Sequence, residues 1–386
     1  MEIKNFSETS ALKNAGPLAP VHSFVTAQAI DLENFRNYTS LNLKLAPGFT
    51  ILTGLNAQGK TNLIEAIYLA STGRLLRGKR EQEAIRHGCK TASVRVILSP
   101  HDSEIRIDLE LGARKKAFLN GVPLARSADL LGRLATVTIS TEDLLLTRGE
   151  PSDRRLFLDL QLSSLYPSYL RHLATYKRSL EQRNALLKQW DYQAQNDQTI
   201  SVWDEKLSEH GSAIREARFR YVHELNSEAQ KFHALMGNGE RLTLTYTYKD
   251  EAEHREDLLA HLEASRFEDI RRGSTSIGPH RDDMQIEVEN QDCRLFGSQG
   301  QQRTASISIK LAAFDVAKTI LGHSPLLLLD DMFSDLDDTR QAALSSVVLN
   351  EANQAILTCT DPASAGKSIL GQAQIFEVKA GRVSTV

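Results

Sequence analysis

Cysteine is scarce and scattered, with only Cys89, Cys293 and Cys359 among 386 residues. An odd count without close spacing excludes a disulfide framework and a cysteine zinc site, and it fits a reducing compartment. Long apolar runs are also missing. The longest clean aliphatic stretch, Leu326 to Leu329, is far too short to cross a bilayer. Met1 to Pro20 mixes charged residues with Asn and Ser and has no apolar centre like that of a secretory leader. A cytosolic protein without a membrane partner is expected. No one sign of charge dominates, because the net charge is only −3. A nucleic-acid surface, if present, must therefore be a local patch. No internal repeat or low-complexity tract is visible.

What is present is an ordinary globular composition, 41% hydrophobic and 25% charged, in a chain long enough for two or three lobes. It is organised around Gly54-Leu55-Asn56-Ala57-Gln58-Gly59-Lys60-Thr61, which fits the phosphate-loop pattern of Gly, four residues, then Gly-Lys-Ser/Thr. Phe49 to Thr53 reads as a short buried strand and Asn62 to Ala70 as a helix with a wide apolar face. Strand, glycine loop and helix direct backbone N–H groups at phosphate oxygens. Lys60 is placed to reach the β- and γ-phosphates, and the Thr61 hydroxyl to complete a Mg²⁺ shell.

Residues 1–22 read as an extension broken by Gly16-Pro17 and Pro20. Residues 23–150 form a β-rich lobe, with strands at Val25–Leu32 and Leu41–Leu45 and a turn over Glu33–Tyr38. Alternation marks further strands at Ala92–Leu98 and Glu104–Leu109, a hairpin at Asn120-Gly121, and a strand at Thr136–Ser140. Two basic clusters, Arg74/Arg77/Lys79/Arg80 and Arg114/Lys115/Lys116, are candidates for phosphate or DNA contact. The pattern changes at Pro151. Leu162, Leu165, Tyr169, Leu173, Tyr176 and Leu180 recur on one helix face, and Trp203 to Leu225 repeats that spacing after a polar break. The expectation is an antiparallel helical lid over residues 151–240, with His210 a packed core residue. Residues 241–386 resume the first architecture, with strands at Arg241–Tyr248 and Met284–Val288, a helix over Glu256–Arg271, and a rigid turn Gly278-Pro279-His280-Arg281-Asp282-Asp283.

Pro325 to Asp331 is an apolar strand ending in two carboxylates. Paired with a phosphate loop, Asp330 suits the Mg²⁺ role and Asp331 the water-polarising, catalytic role. Upstream, Ser298, Gly300 and Gln301 open the helix Ala305–Ile320. They offer hydroxyl and N–H donors suited to the γ-phosphate of a nucleotide held by a second subunit. Ser334-Asp335-Leu336-Asp337 follows the carboxylates.

This order resembles the ABC-type ATPase heads of the SMC/Rad50 class and, within it, the RecF family of bacterial recombination-repair proteins. The runs that carry the resemblance are Leu32–Tyr38, Asn56–Asn62, Thr141-Glu142-Asp143-Leu144, Gly278–Asp283, Ser298–Arg303 and Leu328–Asp337. It extends from about residue 25 to the end. The implied fold is α/β, a mixed β-sheet lobe with a nucleotide-binding α/β core and an inserted helical lid. The spacing between Lys60 and Ser298, longer than in transporters and shorter than in coiled-coil heads, fits a short lid. The resemblance implies ATP contacts from Gly54, Asn56, Gly59, Lys60, Thr61, Asn62 and Arg36, and signature contacts in trans from Ser298, Gly300 and Gln301. It also implies a D-loop with Asp335 and Asp337, and Mg²⁺ on Thr61 and Asp330. It further implies a weak DNA-stimulated ATPase that dimerises on ATP, binds single-strand/double-strand junctions and loads RecA with RecO and RecR. Residues 1–22 depart from the family pattern. Ser140-Thr141 stands where Ser-Pro is usual, and Asp331 where most ABC ATPases carry Glu, so slow turnover is expected. The competing readings are an energy-coupling ATPase of a membrane transporter and a monomeric small-molecule phosphotransferase.

Overall fold

The computed structural model describes residues 25–78, 80–100, 102–190, 197–237, 239–252, 254–333 and 336–386. The expected extension at 1–22 lies outside them. The described residues form two compact units: a helical one of 150–224 with 244–285, and a sheet unit of 25–149, 225–243 and 286–386.

In the sheet unit, β1 (Thr26–Phe35), β2 (Tyr38–Lys44), β4 (Thr91–Ser99), β5 (Ser103–Glu110), β6 (Lys116–Leu119) and β7 (Val122–Pro123) make an antiparallel sheet, ordered β2-β1-β4-β5-β6-β7. Asn120 and Gly121, both at positive φ, supply the tight β6–β7 turn. The turn expected over Glu33–Tyr38 is shorter. Phe35 pairs with Tyr38, so only Arg36 and Asn37 turn the chain.

A second sheet is ordered β15-β14-β3-β13-β12-β8, from β3 (Gly48–Thr53), β8 (Thr136–Ile139), β12 (Leu326–Asp330), β13 (Gln354–Cys359), β14 (Ala373–Lys379) and β15 (Arg382–Thr385). All its pairings are parallel except β14 with β15. The unbroken leucines of β12 follow from burial on both faces. Leu326 and Leu328 join a core with Leu63, Ile67 and the antiparallel sheet, whereas Leu327 and Leu329 join one with Ile307, Leu311 and Phe314. The first core holds α1 (Lys60–Thr72), the second α9 (Gln299–Leu321) and α10 (Asp338–Glu351). Short helices α2 (Leu144–Arg148), α8 (Cys293–Phe296) and α11 (Lys367–Leu370) complete this unit. A three-stranded sheet contains β9 (Leu242–Thr247), β10 (Asp283–Val288) and β11 (Gln291–Asp292).

The helices of the other unit are α3 (Pro151–Leu165), α4 (Pro167–Lys188), α6 (Arg255–Ala264), α7 (Arg266–Arg272) and the first part of α5 (Asp197–Met236). The stripe from Leu162 to Leu180 is not one helix. Pro167 has no N–H to donate and forces Tyr166 out of helical geometry (φ −128°, ψ 104°), so α3 stops and α4 begins there. The helix expected over Glu256–Arg271 likewise breaks at Ser265. His210 is not a core residue but half-buried, its Nδ1 3.0 Å from that of His172.

This unit is held by buried ion pairs. Arg183, fully buried, donates to Asp204 (2.6 Å), Asp269 (2.7 Å) and Thr275 (2.8 Å). Arg215 is clamped by Asp250 and Asp282, and Arg218 by Asp159 and the Pro279 carbonyl. These partners explain why the unit draws on residues beyond 240. Gly278 to Asp283 is its hub. Asp282 also accepts from Tyr246 (2.8 Å), and Asp283 receives a two-pronged bond from Arg154 (2.8 and 2.7 Å). Burial lowers His280 to about 4, so its ring is neutral. Nε2–H then donates to the Thr275 carbonyl, and Nδ1 accepts from Tyr176. Among the described residues no helix is long and apolar enough to cross a membrane.

Candidate functional site

The glycine loop joins the C-terminal end of β3 to α1, at the sheet edge where parallel α/β folds bind ligands. Two glycines are obligatory. Gly54 has φ 137°, and a Cβ there would collide with the Val378 carbonyl. Gly59 has φ 119°, and its Cβ would overlap the Asn37 side chain. Asn37 donates to the Gln58 carbonyl (2.8 Å) and accepts from Asn62 (2.8 Å), and the Tyr38 hydroxyl donates to the Gly59 carbonyl (3.0 Å). From the other side, Ala380 N–H donates to Gln58 Oε1 (2.8 Å) and Gly381 N–H to its carbonyl (3.1 Å). Two hairpin turns, at 36–37 and 380–381, therefore brace the loop. Asn56 is exposed within it, and buried Lys60 donates to the Gly54 and Leu55 carbonyls.

β13 lies between β3 and β12, with Thr358 in register with Asp330. Asp330 is buried, and its Oδ1 accepts from the hydroxyls of Thr61 (2.8 Å) and Thr358 (2.8 Å). Arg77 donates to Oδ2 at 3.1 Å. Hydroxyl and carboxylate oxygens at a helix N-terminus are the hard donors that Mg²⁺ takes, so Thr61 and Asp330 fit that ion. No group of three or more His, Cys, Asp or Glu among the described residues could hold a metal unaided. Any such ion would need further oxygens, from nucleotide or water, to complete its shell. Asp331 follows at φ 53°, its N–H donating to Thr358 Oγ1 (2.9 Å). A left-handed aspartate is costly and is kept where the surroundings demand it.

Arg36 differs from the expectation of an ATP contact. Its guanidinium grips Glu65 through two bonds (2.7 and 2.9 Å) and also donates to the carbonyls of Glu83 (2.9 Å) and Arg77 (3.0 Å). Four of its five N–H groups thus hold residues 77–83 against α1, and one remains for another acceptor.

Ser298 is the N-cap of α9. Its Oγ accepts from Gln301 N–H (3.2 Å), while Gln301 Oε1 accepts from Ser298 N–H (2.8 Å). A capping box accounts for these two side chains, and Gln301 is further held by Glu240 (2.7 Å). Gln302 is buried, accepting from Arg148 and donating to the Cys293 carbonyl (2.9 Å). The Ser298 hydroxyl retains its own proton to donate, and Ser298 and Gly300 are exposed. Asp337 caps α10 by accepting from Arg340 N–H (3.0 Å), and Asp335 lies outside the described residues.

The Thr141-Glu142-Asp143 run leads from β8 into α2 and contacts α9 through Asp143. Asp143 pairs with Lys310 (3.1 Å), and its carbonyl accepts from Ser306. Burial raises the Asp143 carboxyl despite Lys310. The two basic clusters are neighbours, because Lys115 pairs with Glu81 and Gln82 donates to the Ala113 carbonyl (3.4 Å). Arg77 is committed to Asp330 and Lys79 lies outside the described residues. Arg74, Arg80, Arg114 and Lys116 remain exposed. The described cysteines are free thiols, and burial raises Cys293 and Cys359 to about 11.

Residues 26–380 match the family model described as the RecF/RecN/SMC N-terminal domain. The head domain of Smc from Pyrococcus furiosus aligns at TM-score 0.55 with 15% identity, covering 94% of this chain and 96% of that one, a likeness of fold. The chain therefore belongs to the RecF/RecN/SMC class of ABC-type ATPase heads. The DNA replication and repair protein RecF of Agathobacter rectalis is 38% identical over 363 residues, 93% of this chain and 99% of the relative. That of Clostridium acetobutylicum is 36% identical over 359 residues, 92% and 98%. A solved structure of the recombination mediator protein RecF-ATP in the RecFOR pathway aligns at TM-score 0.86 with 31% identity, covering 95% and 99%. Within its class, this chain is a member of the RecF family of DNA replication and repair proteins. Membership answers the transporter and phosphotransferase readings.

Proposed function

We propose that this chain is an ATP-driven DNA clamp of recombinational repair, closing as a homodimer on ATP and reset by slow hydrolysis. Lys60 neutralises the β/γ-phosphates in a loop preshaped by Gly54 and Gly59. Thr61 and Asp330 hold Mg²⁺, which supplies charge neutralisation at the phosphates when bound. Asp331 orients water. Ser298, Gly300 and Gln301 donate to the γ-phosphate bound by the other copy. The reading is carried by the hydrogen-bonded set Thr61, Asp330 and Thr358 beside the glycine loop. The DNA face is the joined basic patch of Arg80, Arg114 and Lys116, which would meet gapped or junction DNA. RecO- and RecR-type proteins are the partners in loading RecA, in the cytoplasm, with DNA-stimulated turnover as the switch.

Mixing Lys60→Met with Ser298→Arg tests the shared site. Each variant alone should be inactive, because each homodimer has both sites damaged. Their heterodimer has one site with both defects and one with neither, so it should recover up to half of the activity per mixed dimer. Absence of recovery, with heterodimers shown to form, would falsify a site shared between copies.

A further inference from the structure

Arg77 is a side chain that the proposed ATP chemistry leaves unused, yet it contacts the carboxylate central to it. Its backbone is fixed at both ends: N–H donates to Glu65 Oε1 (3.0 Å), and its carbonyl accepts from Arg36 (3.0 Å). From that anchor the half-exposed guanidinium reaches Asp330 Oδ2 (3.1 Å), with its Nε 3.5 Å from Glu142 Oε1. Asp330 is a buried carboxylate needing compensation, and Oδ1 is already taken by two hydroxyls. Arg77 supplies the full positive charge on the remaining oxygen.

We infer that Arg77 is a tethered internal cation that holds Asp330 until a divalent ion displaces it, and so sets the divalent-ion concentration at which nucleotide is retained. This rests on the ATP and Mg²⁺ reading above. A guanidinium and a divalent ion on one carboxylate repel each other, so binding the ion requires Arg77 to leave. Glu142 is the second carboxylate already within its reach and receives it. The arrangement has two consequences of opposite sign. Without divalent ion, Arg77 masks the negative charge of Asp330 from the phosphates and favours nucleotide binding. With divalent ion, it is a competitor.

The test is a titration of a fluorescent ATP analogue, first in EDTA and then at increasing Mg²⁺, on the full chain and on Arg77→Gln. The backbone bonds to Glu65 and Arg36 persist in the variant. Its half-saturating Mg²⁺ should fall by roughly two- to fivefold, the range of a partly exposed ion pair. Its affinity in EDTA should weaken. Arg77→Lys keeps the charge and should restore affinity in EDTA. Glu142→Gln removes the alternative holder and should raise half-saturating Mg²⁺, an increase absent when Arg77→Gln is also present. A merely structural role would weaken binding in both conditions. Half-saturating Mg²⁺ unchanged or raised in Arg77→Gln overturns the inference. If Mg²⁺ does not strengthen nucleotide binding to the unaltered chain, the underlying site reading fails instead.

Discussion

Asp282 offers a decisive test of what the Gly278–Asp283 run does. The side chain is buried, and its carboxylate accepts from Arg215 Nε (2.8 Å), a second Arg215 nitrogen (2.9 Å) and the Tyr246 hydroxyl (2.8 Å). Asp282→Ala removes these three bonds and a fourth, from Lys249 N–H (3.3 Å), and leaves Arg215, which is 1% exposed, with Asp250 as its one carboxylate partner among the described residues. Losing one partner of a buried pair costs about 3–5 kcal/mol, and the surviving Asp250 pair argues for about 3. Arg215→Met should cost more, because it strands two carboxylates rather than half-stranding one cation. The two substitutions together should cost less than their sum by at least about 1 kcal/mol. Urea unfolding measures these differences, and hydrogen exchange should localise the loss to α4 and to α5 before residue 225. ATP affinity of the folded fraction should stay near that of the unaltered chain. The structural reading is wrong if Asp282→Ala unfolds at the original urea concentration yet no longer binds or hydrolyses ATP.

Asp331→Asn should bind ATP and stall hydrolysis, so that the dimer persists and DNA leaves more slowly; turnover at the unaltered rate would remove Asp331 from the water-orienting role. Triple alanine replacement of Arg80, Arg114 and Lys116 should flatten the log–log dependence of DNA affinity on salt by roughly one unit per lost phosphate contact. An unchanged slope clears the patch. Acid should weaken the helical unit through His280, whose folded value is about 4 against an ordinary 6.5. The unfolded chain takes up that proton first, so this contribution is complete above pH 6.5 and is lost as pH falls towards 4. At about 1.4 kcal/mol per pH unit the full span is about 3 kcal/mol. Urea midpoints at pH 7 and 4.5 should therefore differ less for His280→Gln than for the unaltered chain, and an equal difference refutes the assignment.

The chain by itself determined whatever depends on local spacing. The glycine loop is legible because a phosphate cradle needs particular backbone angles at Gly54 and Gly59 within a few residues. The strand Leu326–Asp330 is legible because burial on both faces demands an unbroken apolar run that ends where solvent begins. Helix ends were less legible: Pro167 cut an apolar stripe that continues in register on both sides of it. Tertiary structure alone decided which distant groups meet. Arg36 shares a conspicuous run with Tyr38, yet only packing against α1 commits its guanidinium to Glu65 while the Tyr38 hydroxyl reaches the glycine loop. Thr358 and Arg77 converge on Asp330 through strand order and a pinned loop, and neither has a local signature. The acidic run at Asp282-Asp283 reads as part of a rigid turn in one dimension. In three it is the counter-charge for arginines up to 129 positions away, because an ion pair depends on distance in space and burial, neither of which sequence spacing encodes.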